Sequence, residues 1–171
     1  MGRRPARGRE WLAAVGLAIA GLFGGAGATL AQESGSAPPK DAIFARKILM
    51  GTIDMNMDEI ETMLAPDGKL HLADAQEHAD TISVMLMAFP HMFPPATNQW
   101  KPVDPDRDPA TDTYASPDLW GHFADFYQRA GTASKLAFDA SRAKGPDAFR
   151  AAVVELRAAC NACHATYQKT D

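Results

Sequence analysis

The chain has 171 residues, of which 17 are Lys or Arg and 21 are Asp or Glu, and its formal net charge is −4. This length fits one domain with a core of its own. An acidic chain without clustered Lys and Arg is poorly suited to nucleic acid, whose phosphates reward such clusters, so we expect no nucleic-acid partner.

Residues 1–31 have the three-part pattern of a secretory signal peptide. "MGRRPARGRE" is basic, "WLAAVGLAIAGLFGGAGATLA" is apolar and rich in Ala and Gly, and small residues offer cleavage after Ala28 or Ala31. The competing interpretation is an uncleaved membrane anchor, because the apolar run could just span a bilayer. We predict cleavage and a periplasmic chain, soluble after cleavage, with 13 basic and 20 acidic residues and a net charge of −7.

After a flexible leader at residues 32–39, four segments place apolar residues at spacings of three and four. For example, Ile43, Met50, Met57 and Leu64 recur every seven residues in the first segment. Such spacing is typical of helices that pack together. We therefore predict that residues 40–171 form an all-α, antiparallel four-helix bundle. The predicted helices span residues 40–65, 69–89, 117–143 and 146–169.

Proline and glycine mark the connections between these helices. "APDG" at 65–68 predicts a turn, and Pro117 and Pro146 stand where the third and fourth helices are expected to begin. The connection at 90–117 holds seven of the twelve prolines, so no continuous helix can run through it. We predict a crossover that lies along the outside of the bundle.

The closing stretch "AACNACHATYQKTD" contains the only two cysteines, Cys160 and Cys163, followed directly by His164. On a helix, residues three and four apart lie on one face. Two thiols at this spacing can add to the two vinyl groups of a haem, and the imidazole can turn onto the iron. Cys-x-x-Cys-His is the signature of covalent c-type haem attachment, so we predict haem c, with its iron, as the cofactor.

Three other uses of the motif remain open at this point. A redox-active dithiol is expected after a strand of an α/β pattern, and the sequence predicts no strand. A structural zinc site needs four ligands, and the other histidines form no matching cluster in the sequence. A disulfide is compatible with an exported chain, although two cysteines on one helical turn are awkwardly placed for a structural bridge.

With this motif at the end of a helical bundle, the chain resembles the class II cytochromes c, which comprise cytochrome c prime and its low-spin cytochrome c-556 relatives. "DAIFARKILM" (41–50) and "SPDLW" (116–120) add to the resemblance, which covers residues 38–170. It implies that Cys160 and Cys163 carry the haem and that His164 is the proximal iron ligand. It also implies redox partner proteins, and many relatives form dimers through their first two helices, although monomer and homodimer both remain open.

The resemblance places Arg46 near the haem propionates. Independently, Arg46 falls between Ile43 and Met50 on the apolar face of the first helix, where a charge needs a partner. The alternative is that its stem reaches out to solvent. Lys47 neighbours the same site, or is an ordinary solvated residue.

The group that faces His164 across the iron separates two functions. In an antiparallel bundle Met50 and His164 stand roughly 13 Å and 9 Å from the same end, and are therefore nearly level. "LMGTIDMNM" (49–57) also resembles low-spin relatives, in which a Met at this position binds the iron. We expect a periplasmic electron-transfer protein with six-coordinate His164/Met50 iron, and no enzyme.

The alternative function is a five-coordinate cytochrome c prime that binds nitric oxide or another diatomic gas. Met50 then only packs, since Met is an adaptable core residue. Gln168 follows Tyr167 where many high-spin relatives carry a basic residue, and this departure argues against the alternative.

Overall fold

The computed structural model describes residues 37–102 and 104–169, and five α-helices form the framework of this part. The predictions for residues 1–31, and for the leader as far as residue 36, lie outside the described residues. No helix within the described ranges is both long enough and apolar enough to cross a membrane. The helices are α1 (Pro39–Leu64), α2 (Leu72–Ala88), α3 (Asp118–Gly121), α4 (Phe123–Ser141) and α5 (Pro146–Tyr167).

The helix boundaries follow the proline and glycine signals closely. Pro39 and Pro146 occupy first-turn positions of α1 and α5, where no backbone N–H is needed. Gly145 precedes α5 with a φ of 93°, a conformation that favours glycine. In the turn between α1 and α2, a Cβ on Gly68 would lie 2.3 Å from the carbonyl oxygen of Thr62. This turn therefore requires glycine.

The predicted third helix is divided in two. The short α3 ends at Gly121, and α4 begins at Phe123, because His122 leaves the helical region with φ −123° and ψ 35°. Asp118 begins α3, one residue after Pro117, and its backbone N–H is 3.3 Å from the Ser116 hydroxyl oxygen. Pro117 is therefore the N-cap residue of α3 and not its first helical residue, and no side chain of the described residues caps this helix.

Apolar residues at the predicted spacings form the core. The closely packed helix pairs of the described chain are α1 with α2, α2 with α4 and α4 with α5, the order of an antiparallel four-helix bundle. The predicted fold is therefore confirmed. The buried residues at its centre are Ile53, Met57, Ile60, Ala75, Ala79, Ile82, Leu86, Ala133, Ala137, Ala140, Phe149, Val153 and Leu156.

The connection between α2 and α3 is more ordered than a plain crossover. It contains two short 3-10 helices, Phe89–Met92 and Pro95–Thr97, which tolerate proline because it lies within their first turn. Its last part pairs with the chain after α5, through the isolated bridge between Ala115 and Gln168. Thr97 and Thr113 of this connection are buried, so the predicted crossover contributes side chains to the packed interior.

Candidate cofactor site

A cavity of about 460 Å³ opens among α1, α2, α4, α5 and the connection. This volume falls within the roughly 300–1,000 Å³ of small-molecule and cofactor sites. Much of its wall is apolar and comes from Ile82, Leu86, Phe89, Phe93 and Phe126. The structure brings together here all six residues that the sequence singled out, namely Arg46, Lys47, Met50, Cys160, Cys163 and His164.

The two cysteines lie one turn apart on α5 and are both half-buried, with free thiols. Burial raises the pKa of Cys160 and raises that of Cys163 to about 11, so both are neutral thiols at pH 7. They are not joined as a disulfide in this structure. Within the described chain, no group of three or more His, Cys, Asp and Glu side chains converges, so the zinc alternative lacks a donor set there.

His164 is half-buried beside the thiols. Desolvation lowers the pKa of its imidazole, with a smaller opposing effect from Asp54 and a smaller reinforcing one from Arg157. A neutral imidazole offers a nitrogen lone pair, which is the form that binds metals. Two thiols and an imidazole on one cavity wall fit the attachment and ligation of haem c.

Side-chain contacts between α1 and α5 fix the level of Met50. Arg150 Nη1 donates to the carbonyl oxygen of Leu64 at 3.1 Å, and Arg157 lies within 4.0 Å of carboxylate oxygens of both Asp54 and Glu61. Together these contacts place position 150 of α5 at about the height of position 64 of α1. His164 follows Arg150 by 14 residues and Met50 precedes Leu64 by 14 in the antiparallel helix. Met50 therefore lies level with His164, and both line the cavity.

Arg46 is buried, with 4% of its surface exposed, so the alternative that its stem reaches solvent is wrong. Desolvation lowers the pKa of its guanidinium to about 10. Its hydrogen bonds go to the neutral Thr97 and Thr113, and among the described residues no carboxylate contacts it. A buried cation without an anion is costly, and a haem propionate would supply the missing charge.

Lys47 is not simply solvated. Its Nζ donates to the carbonyl oxygen of Asp112 at 2.9 Å and lies 4.5 Å from the centre of the Tyr114 ring. Desolvation lowers its pKa, and Asp112 opposes this effect. Lys47 therefore adds a partly buried cation beside the buried Arg46 at this end of the cavity.

Several residues at the cavity carried no signal in the sequence. Phe93, Thr113 and Tyr114 reach it from the proline-rich connection, and Arg129 reaches it from α4. Tyr167, three residues after His164, donates a hydrogen bond from its hydroxyl to Asp125 and packs edge-on against Phe126. The length of the connection alone could have indicated a functional role, since long connections often have one.

A helical bundle whose Cys-x-x-Cys-His helix and buried arginine face one cavity defines a c-type haem-binding protein. The family model described as Cytochrome C' matches residues 41–168, and the chain belongs to this family. The resemblance to class II cytochromes c is thereby confirmed. The prediction of covalently attached haem c is confirmed with it, since the family carries this cofactor.

Solved structures agree on the fold. Cytochrome c prime from Shewanella frigidimarina is 21% identical with a TM-score of 0.67, and that from Thermochromatium tepidum is 22% identical with a TM-score of 0.66. A nitric oxide complex of a point mutant of cytochrome c prime from Alcaligenes xylosoxidans is 19% identical, with a TM-score of 0.66. Each alignment covers 80% of this chain and 100% of the other. No curated protein matches the chain significantly.

Proposed function

We propose that this chain is a five-coordinate cytochrome c prime, which binds nitric oxide or a similar diatomic gas opposite His164. The observation that carries the proposal is the match of residues 41–168 to the Cytochrome C' family. A point mutant of a similar protein from Alcaligenes xylosoxidans is described as a nitric oxide complex. The family match favours this alternative over the six-coordinate electron carrier that we expected first from the sequence.

The chain's own residues have separate roles in this proposal. Cys160 and Cys163 hold the haem, which supplies an iron able to take a further ligand and to change oxidation state. His164 would bind the iron as neutral imidazole, and Met50 would serve as an apolar part of the cavity wall. Phe89, Phe126 and the other apolar residues of the wall exclude water. None of these roles needs a catalytic group, so we propose no enzymatic activity.

A second candidate function rests on the position of Met50. Because Met50 lies level with His164 and lines the same cavity, its sulfur is a candidate sixth ligand. Iron held by His and Met has a raised reduction potential, which suits electron transfer to redox partner proteins.

Titration of the ferrous protein with nitric oxide and carbon monoxide tests the proposed function. We expect both gases to bind without an induction phase, because no protein ligand must first leave the iron. Slow binding, with a rate that levels off as the gas concentration rises, would show that a protein ligand dissociates first. This result would favour the electron carrier.

Export of the chain is the next expected result. Expressed with its first 31 residues and the c-type maturation machinery, the protein should appear in the periplasm, starting at Gln32 or Thr29. The intact mass should equal that of the cleaved chain plus one haem. Recovery from membranes with the N-terminal segment retained would instead identify an anchor.

We also propose a homodimer through the outer face of α1. Phe44, Ile48 and Met55 are exposed on this helix at spacings of four and seven residues, which place them on one face. Val84 and Met87 are exposed on the neighbouring α2. A similar solved cytochrome c prime is described by its ligand-controlled dimer dissociation.

Ile48→Glu should therefore shift the protein to monomer, because it places a charge in an apolar contact. Val154→Glu, at a residue of α5 that is 70% exposed, is the matched control and should leave the dimer intact. Sedimentation velocity over a range of concentrations measures both. A wild-type protein that remains monomeric at the highest concentration contradicts the dimer.

A further inference from the structure

Two buried threonines of the connection hold the guanidinium of Arg46. Thr97 is fully buried and Thr113 is 2% exposed. Arg46 Nη1 donates to the Thr97 hydroxyl at 2.8 Å, and Nη2 donates to the Thr113 hydroxyl. These partners lie 51 and 67 residues away in sequence, so only the folded connection brings them to α1.

Two aromatic rings also pack against the face of the Arg46 guanidinium. The guanidinium carbon lies 4.4 Å from the centre of the Phe93 ring and 5.8 Å from that of Trp120. Trp120 Nε1 donates to the carbonyl oxygen of Phe93 at 3.2 Å, which fixes one ring relative to the other. The guanidinium is thus restrained both in its plane and perpendicular to it by groups of the chain itself.

The threonines do not use all the donors of Arg46. A guanidinium has five N–H groups, and the bonds to Thr97 and Thr113 involve only Nη1 and Nη2. Within the described residues the Nε–H group donates to no acceptor. Arg46 also lines the cavity. Its guanidinium therefore presents to the cavity both unused N–H donors and a positive charge that no carboxylate of the described residues neutralises. A carboxylate oxygen can accept a charge-assisted hydrogen bond from such a remaining N–H group.

The connection is also tied to the end of the haem-binding helix. The Ser116 N–H donates to the carbonyl oxygen of Tyr167 at 2.8 Å, and the Lys169 N–H donates to that of Tyr114 at 2.8 Å. Thr113 is therefore adjacent to a segment that is fixed to the residues following His164. The contact between Thr113 and Arg46 links this end of α5 with α1.

We propose that Thr97 and Thr113 are positioning residues, which orient Arg46 so that its free N–H groups meet a haem propionate. The connection thereby sets the charge beside the haem and tunes its reduction potential. This inference rests on the haem of the proposed function, but not on the coordination number of the iron.

The sign of the effect follows from electrostatics. The ferrous state carries one positive charge less than the ferric state, so a nearby cation stabilises the ferrous state and raises the reduction potential. Arg46→Gln should lower the potential, because it removes the cation. Thr113→Val should lower it by part of that shift, because Arg46 loses an acceptor and its fixed orientation. Thr113→Ser keeps the hydroxyl and should retain the wild-type value.

Redox titration of the purified holoproteins tests the proposal. Thr113→Val should cause no additional shift in the Arg46→Gln background, because Thr113 acts through Arg46. Ser134→Ala, which removes another buried hydroxyl outside the cavity wall, is the control and should leave the potential unchanged. Thr97→Val is a second variant with the same expectations, should Thr113→Val fail to accumulate.

The proposal is overturned if both valine variants keep the wild-type reduction potential. It is also overturned if Thr113→Val shifts the potential equally in the wild-type protein and in the Arg46→Gln background. In these cases a normal haem spectrum would leave the proposed function intact. A wild-type protein that attaches no haem would overturn both the proposed function and this inference.

Discussion

Replacement of both Cys160 and Cys163 by alanine is expected to abolish covalent haem attachment completely. They are the only two cysteines of the chain, and both line the cavity with free thiols. Each single variant should keep one thioether bond, and therefore some covalently held haem. The double variant has no thiol left to form one.

Acid–acetone extraction followed by intact-mass measurement separates these outcomes. Haem should stay with the wild-type chain, at one per chain, and should pass entirely into the solvent from the double variant. Asn161→Ala, an exposed change between the two cysteines, is the matched control and should retain haem. Haem that remains on the chain of the double variant contradicts the assignment of the cysteines.

Met50→Ala is expected to speed gas binding without changing the coordination of the iron. In the five-coordinate protein Met50 only covers the site, so its removal lowers a steric barrier. A gain on the order of tenfold in the association rate corresponds to about 1.4 kcal/mol of barrier. The unfolding free energy should fall as well, because Met50 packs against the buried core and against a second buried cluster formed by Phe89, Phe93, Leu119, Phe126 and Tyr167.

Flash photolysis of the carbon monoxide complex measures this rate. Val154→Ala is the control, because Val154 is 70% exposed on α5, away from the cavity and the proposed dimer face, and should leave the rate unchanged. A wild-type haem that is low-spin, and turns high-spin only in Met50→Ala, would show that the sulfur binds the iron. The electron carrier would then replace the gas-binding protein as the proposed function.

The bundle was predictable because each long helix carries its own signal. Apolar residues at spacings of three and four form one apolar face on each helix. These faces are removed from water only when the helices pack against one another. The closing motif was predictable for a similar reason, since its chemistry lies within five residues. Even the level of Met50 follows from counting along antiparallel helices, and the contact between Arg150 and Leu64 agrees with that count.

The environment of Arg46 could not be predicted in the same way. Its position on the apolar face indicated a buried charge, but Thr97 and Thr113 are distant in sequence and belong to a segment without periodicity. The prolines of this segment exclude a long helix, but they do not predict which face of the bundle the segment covers. The division of the third helix at His122 also had no local signal, since neither proline nor glycine occupies that position.

The coordination number of the iron was not predictable from spacing. A methionine that packs and a methionine that binds iron occupy the same position on α1, and both satisfy the apolar pattern. Gln168, which we took to argue against gas binding, lines the cavity close to Tyr167. Arg129 of α4 also lies there, so a cation reaches this part of the cavity from another helix.

Resonance Raman spectroscopy of the wild-type ferrous holoprotein at neutral pH tests the central claim most directly, because its marker bands report coordination number and spin state together. The proposed function predicts a five-coordinate, high-spin iron with a histidine ligand. A six-coordinate, low-spin ferrous iron, accompanied in the ferric protein by the weak sulfur-to-iron absorption band, would contradict it.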